Sequence, residues 1–431
     1  MAGTPSSNLR FAGDITVAQL EIVGKNGRID VRQLMLNITI FEDLFGPFIS
    51  GNIVMNESLD LINKLPLIGE EYLEMHVFTP GFDGQPDKEF KGRYYIYKMT
   101  ERLNTAERAV AYTLHFMSSE AIKDINQRVH SAQVGYCHDI VRNLLVNDPL
   151  GLNTIKTVNI EDTVNGIKYV ANNWSPVNCI QYAAAHSINR QNIGTFMFYE
   201  NRDGFNFISL SSLYRQDSIQ SFISDNYRRD IDAQGRATRN INEDYKRVTE
   251  MVIPEGFNFV ERIGSGMYRS NLTTYDFVTK RFKTYRFDGN NNFDAYPHLN
   301  NFPLMSRDVL ASSSAAHFNN ITHYGLHNGY GDTSNTPFYL QRKSLLSQAE
   351  AFRLEVTVPG RTDYTVGKIV DLTAYRNQPV SNKPGENDDV DPTITGKYII
   401  GTVTHRITNK EHTCLMQLIK DSYVLDVENL Q

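Results

Sequence analysis

The residue types that carry out chemistry are all present in this chain, but few stand at the spacing that chemistry requires. His323 and His327 are four apart, which on a helix would set both imidazoles on one face as metal ligands. Their neighbours Tyr324-Gly325-Leu326 and Asn328-Gly329-Tyr330-Gly331 read as loop, and no third ligand follows nearby. Glu57, Glu70, Glu71 and Glu74 offer carboxylates of the kind that pair in glycoside hydrolysis, yet beside strands they read as exposed-face residues. Cys137 and His138 are adjacent, but neighbours on a helix point apart and a nucleophile needs its base facing it. A buried thiol is the expectation there. Gly264-Ser265-Gly266 lacks the lysine of a phosphate loop and the flanking glycines of a nucleophile elbow, and reads as a hairpin turn. Trp174, just before Ser175-Pro176, reads as a hydrophobic anchor, and the sequon at Asn37 means nothing without a secretory route. The sequence thus assigns no catalytic, cofactor-binding or metal-ligating residue, and the chain is expected not to be an enzyme.

Composition narrows the classes further. With 431 residues, 41% of them hydrophobic and 11% aromatic, the chain can bury several cores and is not a disordered one. Its net charge of −6 and pI of about 6.0 do not indicate a surface built to grip nucleic acid, and they leave room for a mildly acidic channel through which DNA merely passes. Three cysteines, far apart and odd in number, suit buried thiols in a reducing cytoplasm, and neither C-x-x-C nor a Cys/His zinc spacing is legible. The start, MAGTPSSNLRFAGD, has no signal-peptide pattern, and no run of 18 apolar residues occurs. A soluble, cytoplasmically made protein is expected.

The elements that would position side chains are mostly strands. Leu34–Phe41, Ile49–Met55 and Glu70–Phe78 read as strands joined by turns. After Met117 the texture turns helical: 118–129, 133–146 with Val134, Cys137, Ile140, Val141, Leu144 and Leu145 on one side, and a helix opened by Ser175-Pro176. Asn201-Arg202-Asp203-Gly204 reads as a hairpin turn, and 215–243 as a polar linker. Later, Tyr339–Glu350 is helix-like, and Phe352–Pro359 and Gly367–Tyr375 are strands.

Two stretches tie these elements together. Gly92–Ser118 and Gly396–Ser422 align without a gap at an offset of 304, with 8 identities in 27 positions, where composition alone gives roughly one or two. The early identities, Gly92/Gly396, Tyr94/Tyr398, Ile96/Ile400, Thr100/Thr404 and Arg102/Arg406, share one face of a period-2 strand. Glu107/Glu411, Leu114/Leu418 and Ser118/Ser422 complete the set, and Val110, Tyr112 and Leu114 match Cys414, Met416 and Leu418 as an apolar face. Both stretches are therefore expected to be hairpins of a duplicated β-domain. A weaker echo, Phe41–Leu44 with Asn52-Ile53 and Glu57 against Val260–Ile263 with Asn271-Leu272 and Asp276, runs at an offset of 219 and implies an insertion of 304 − 219 = 85 residues in the second copy. The expected class is α+β, mainly β. Two tube-like antiparallel barrels (10–118; 244–280 with 351–425) would flank an α+β domain and linker (119–243), with an insertion (281–350) packed on that domain.

The motifs Glu42-Asp43-Leu44-Phe45-Gly46, Gly51–Glu57, Leu65-Pro66-Leu67-Ile68-Gly69-Glu70-Glu71 and Gly396–Asn409 resemble the baseplate hub (tail hub) proteins of contractile-tailed phages, the T-even type, related to the base of type VI secretion spikes. The resemblance covers most of the chain in order of parts; 215–243 and 288–335 have no counterpart in it. It implies a virion structural protein of the tail baseplate, assembled in the host cytoplasm, without cofactor or membrane insertion. It also implies a homotrimer whose six barrels form a pseudo-sixfold ring between a threefold central spike protein and the sixfold tail tube. The tail tube protein, central spike and baseplate wedge proteins would be its partners, and the genome would pass through the ring at ejection without specific binding. Two other readings stay open: a cell-wall-degrading hydrolase with β-domain binding modules, and the hub of a contractile secretion or injection machine.

Overall fold

Alternation of apolar and polar residues decides most of the fold. Ile53 and Met55 in one strand, Leu354, Val356 and Val358 in another, and Cys414, Met416 and Leu418 in a third all face inward, each completely or almost completely buried, as a half-buried sheet demands. The computed structural model describes residues 9–25, 27–59, 61–64, 67–82, 84–85, 88–106, 109–224, 240–276, 280–289, 291–304, 316–322, 336–376 and 390–426.

The first part holds β1 (Thr16–Gly24), β2 (Gly27–Asp30), β3 (Met35–Asp43), β4 (Ser50–Glu57), a short α1 (Leu61–Lys64), β5 (Tyr72–Phe78), β6 (Glu89–Ala106) and β7 (Ala109–Ser118). The middle holds α2 (Ser119–Asn126), β8 (Ala132–Tyr136), α3 (Cys137–Arg142), β9 (Val158–Ile160), β10 (Gly166–Val170), α4 (Pro176–His186), β11 (Phe196–Asn201), β12 (Gly204–Ser209) and α5 (Leu210–Leu213). Then follow β13 (Ser218–Ser224), α6 (Ile241–Asp244), β14 (Glu250–Val252), α7 (Phe259–Gly264), β15 (Arg269–Asp276), β16 (Arg281–Asp288), β17 (Phe302–Pro303), β18 (Ala316–Thr322) and α8 (Thr336–Ala349). The last part is β19 (Phe352–Pro359), β20 (Ile369–Ala374), β21 (Gly396–Thr408), β22 (His412–Lys420) and β23 (Ser422–Tyr423).

Both repeated stretches are hairpins, β6–β7 and β21–β22. Each has the same bulge, between Ile96 and Lys98 in one and between Ile400 and Thr402 in the other. Tyr94 and Ile96 point into the core, as do Tyr398 and Ile400. The return strands, however, are related by an offset of 302, not 304: Ile96 opposes Phe116 where Ile400 opposes Leu418, and Thr100 opposes Thr113 where Thr404 opposes Leu415. The difference is absorbed by two further bulges in β6, between Thr100 and Leu103 and between Asn104 and Ala106. Leu114/Leu418 and Ser118/Ser422 are thus not equivalent positions, whereas Tyr112, Leu114 and Phe116 are the true partners of Cys414, Met416 and Leu418. A slip of two keeps side chains on the same face, so the expected apolar face survived the misalignment.

The likeness extends beyond the hairpins. One half of the 13-stranded sheet runs β3-β4-β7-β6-β5-β1 and the other β14-β19-β22-β21-β20-β13, the same order strand for strand. The outermost pairs differ, since β1 lies antiparallel to β5 and β13 parallel to β20. The two halves fuse into one sheet where β21 pairs with β3, and each encloses its own core. The fold is α+β, mainly β, around this large antiparallel sheet.

The echo at offset 219 is not a structural equivalence. Val260–Ile263 lies in helix α7, capped by Asn258, whose side chain accepts the Glu261 N–H, while Phe41 and its neighbours are strand. Asn271 and Leu272 lie in β15, which pairs with β16 and β18 in a separate sheet, so β15 lies outside the large sheet, contrary to the expectation that 244–280 belongs with 351–425 in one barrel. The counterpart of β4 is β19, and the extra material falls between β14 and β19. A four-residue match carries too little period to tell strand from helix.

In the middle part, 133–146 is not one helix. Residues 132–136 pair with β10, Gly135 takes a φ of +143° that helix excludes, and the helix starts only at Cys137. Helix α4 opens as expected, with Ser175 Oγ accepting the Asn178 N–H, and Asn201–Gly204 turns the β11–β12 hairpin. Helix α8 lies against this part: Arg342 donates to the carbonyls of Gly194 and Phe196, both at 2.9 Å, and Gln341 donates to that of Asn192 at 3.0 Å.

Candidate functional site

None of the catalytic constellations weighed from sequence assembles among the described residues. Glu57 accepts the Leu59 and Leu61 N–H groups at 2.6 and 3.1 Å, and Glu71 those of Ile68 and Gly69 at 3.1 and 2.9 Å. Both are buried loop-organising carboxylates, contrary to the exposed-face reading. Glu74 pairs with Arg93 at 2.7 Å and Glu70 is exposed. The Cys137 thiol is buried and pushed up to about 11 by that burial, so it is no thiolate, and His138 Nδ1 accepts the Thr163 N–H at 3.0 Å. Trp174 packs on Tyr169 and Tyr182 as an anchor. Gly264-Ser265-Gly266 ends α7, with the Gly266 N–H on the Ile263 carbonyl and φ +80° at Gly266; it is a helix terminus, not a hairpin turn. His323 and His327 lie outside the described residues.

What the residues do build is a seam. Seven rungs, from Thr402 opposite Asp43 to Thr408 opposite Asn37, join the halves, and Ile407 of the second half is buried in the first half's core. Around the rungs, Asn409 donates to the Met35 carbonyl at 3.1 Å. Thr79 and Thr362 exchange backbone-to-hydroxyl bonds at 3.0 Å each way. Glu42 reaches across to the Thr365 hydroxyl and the Val366 N–H. Burial lifts the Glu42 carboxyl to about 7 against those hydrogen bonds.

Among the described residues, the equivalent positions elsewhere are unpaired. In β6 the rungs to β5 stop at Tyr95; from Tyr97 onward the described residues of β6 pair only with β7, although the matching stretch of β21 carries β3. Tyr97 and Leu103 there are 44% and 64% exposed. At the far end, β14 holds the place in its half that β3 holds in the other and, among the described residues, pairs only with β19. Val252 at its end and Ile253, Phe257, Phe259 and Val260 after it are all exposed. Bare strand edges beside large apolar side chains are what folded chains avoid unless another chain covers them.

Two polar clusters hold buried titratable side chains, the central Lys156 of the first being itself a quarter exposed. Lys156 Nζ reaches Glu200 at 2.5 Å, Glu120 at 2.8 Å and Ser118 Oγ at 3.2 Å, and Glu200 also accepts the Ile49 N–H at 2.9 Å. This locks the end of β7 and the start of β4 to the middle part. In the second hairpin, His405, His412 and Cys414 converge, all but fully buried. The sequence reading missed that cluster because its three residues meet across a hairpin turn, not within a C-x-x-C or helical spacing. Burial, added to by the neighbouring His412, pushes His405 well below the usual imidazole range, and burial takes His412 down to about 3; both are neutral.

No family model matches this chain. It is 22% identical over 436 aligned residues, 95% of each chain, to the probable baseplate hub protein gp334 of Vibrio phage KVP40. Among solved structures it shares its fold with the tail protein from Neisseria meningitidis MC58, at a TM-score of 0.53, 11% identity, and coverage of 94% of this chain and 96% of that one. The 43 kDa tail protein of prophage MuSo2 from Shewanella oneidensis matches at a TM-score of 0.53, 8% identity, and coverage of 94% and 97%. The chain therefore resembles a phage baseplate hub protein along nearly its whole length, and its fold is that of phage tail proteins.

Proposed function

We propose that this protein is the structural, non-enzymatic baseplate hub of a contractile phage tail. Three copies close a pseudo-sixfold ring that adapts a threefold central spike to the sixfold tail tube and leaves a channel for the genome. The observation that carries the reading is the seam. Two halves with the same strand order meet edge to edge through β21 and β3, and among the described residues each half keeps a matching edge bare. If the internal junction repeats between chains, the β6 edge from Tyr97 receives the β14 edge of the next copy, and three such contacts close the ring. Pro254 lacks the N–H to extend β14, so this contact would use fewer rungs and more of the apolar side chains Val252, Ile253 and Phe257. On this reading the virion baseplate is its location, the host cytoplasm its place of assembly, and tail tube, spike and wedge proteins its partners.

The test is the mass of the purified protein by analytical ultracentrifugation, with negative-stain imaging. Wild-type protein is expected to reach trimers that appear as rings, alone or with its spike. Leu103→Arg combined with Val252→Arg, both exposed and so harmless to the monomer, is expected to lower trimer affinity at least about 100-fold, since charges at an interface core cost several kcal/mol. A wild-type chain that stays monomeric at high concentration with its spike present would count against the hub. Trimers indifferent to the double substitution would place the junction elsewhere.

A further inference from the structure

The seam face of the second hairpin carries a cluster that sheet packing does not call for. His405 and Cys414 are directly opposed across β21–β22, and His412 is two residues before Cys414 on the same strand. All three side chains therefore share one face. His405 Nδ1 lies 3.0 Å from His412 Nε2, and Cys414 Sγ lies 3.2 Å from the first nitrogen and 3.4 Å from the second. The rings are held in place. Phe90 meets His405 edge-on at 4.9 Å, and the His412 backbone is bonded on both sides, its N–H to the Gly13 carbonyl and its carbonyl to the Gly360 N–H, each at 2.8 Å. Any Cβ on residue 360 would come within 2.3 Å of the His412 ring, so glycine there makes the room the imidazole needs.

The first half fills the corresponding layer differently. Where the second has His412 and Cys414, the first has Val110 and Tyr112, and β6 bulges where β21 has His405. The repeated sheet itself thus has no use for two imidazoles and a thiol. Placing them in an apolar core carries a desolvation cost that needs an offset, the more so because His412 Nδ1 is buried without a hydrogen-bond partner among the described residues.

We propose that His405 Nδ1, His412 Nε2 and Cys414 Sγ bind a thiophilic transition-metal ion, zinc(II) or copper(I), which pins the seam between the two halves. The donor set is the one these ions prefer. Three corners of a tetrahedral zinc site with ordinary Zn–N and Zn–S bonds stand roughly 3.3–3.6 Å apart, a few tenths of an ångström beyond the separations here. Binding releases one proton, from Cys414, to solvent; each neutral imidazole gives its inward lone pair and keeps its proton on the outward nitrogen. The ion would sit one strand from β3, where His405 opposes Ile40, so losing it would loosen the same seam that joins the halves.

The test is elemental analysis of full-length protein purified without chelator, with thermal melts beside it. About one zinc or copper per chain is expected, falling below about a tenth in Cys414→Ala, because the thiolate is the strongest donor. Wild-type protein refolded with cobalt(II) is expected to show thiolate-to-cobalt charge-transfer absorption that the variant lacks. Zinc or copper(I) added during refolding is expected to raise the melting temperature of wild type only. Wild-type protein that carries no metal, and neither binds zinc or copper nor gains stability from them on refolding, overturns the proposal. So does metal held equally by Cys414→Ala. Because metal content is read per chain whatever the oligomer, this result is independent of whether the ring forms.

Discussion

Lys156→Met is expected to destabilise the protein by about 3–5 kcal/mol at pH 8, the usual cost of leaving buried charges without their partner. Lys156 is the cation that two carboxylates share: burial pushes Glu200 up while Lys156 pulls it down, and Glu120, buried too, is held below its ordinary value chiefly by Lys156. Methionine keeps the stem's packing but removes the charge, so Glu120 and Glu200 would face each other around Ser118 with no counter-ion. Their way out is to take up protons, as neighbouring carboxylates do. The variant's deficit should therefore shrink toward pH 5. Urea unfolding at the two pH values measures this, and a loss under about 1 kcal/mol at pH 8 would mean that water or rearrangement compensates the pair.

The second large effect concerns Glu42 at the seam. Its folded pKa of about 7 stands above the unfolded value of 4.5. Between those values the folded state holds a proton that the unfolded state has lost, so stability is greatest below about 4.5 and falls as pH rises through 7. The full swing is about 3 kcal/mol, from 1.36 kcal/mol per unit. Glu42→Gln keeps an acceptor for the Thr365 hydroxyl and the Val366 N–H without a charge to desolvate. The variant is expected to match wild type near pH 4 and to exceed it by up to about 3 kcal/mol at pH 8. Comparing the two proteins cancels every other titrating group, and equal denaturation midpoints across that range would show that Glu42 is not the source of any pH dependence.

Much of the fold was legible because strand period is a strong, local signal. Tyr94-Ile96 and Tyr398-Ile400 are inward in both hairpins, and β3, β4, β5, β19 and β20 lie where apolar alternation put them. Where the sequence misled, the period was too short to read or was interrupted. Four residues at Val260–Ile263 matched a strand yet form a capped helix, and Gly135 ended a helical reading that apolar spacing alone allowed.

The sequence by itself determined that the chain is mainly β, that two of its stretches are copies of one hairpin, and that the residues weighed for catalysis stand at no productive spacing. Only the tertiary structure decided how the copies are joined. Rungs between β21 and β3 link residues more than 350 positions apart, and backbone hydrogen bonds between distant strands leave no periodic trace in either partner. The same holds for the bulges of β6, which displaced the return strand by two residues without changing its face. It holds as well for His405, His412 and Cys414, whose meeting depends on a hairpin register and not on a motif.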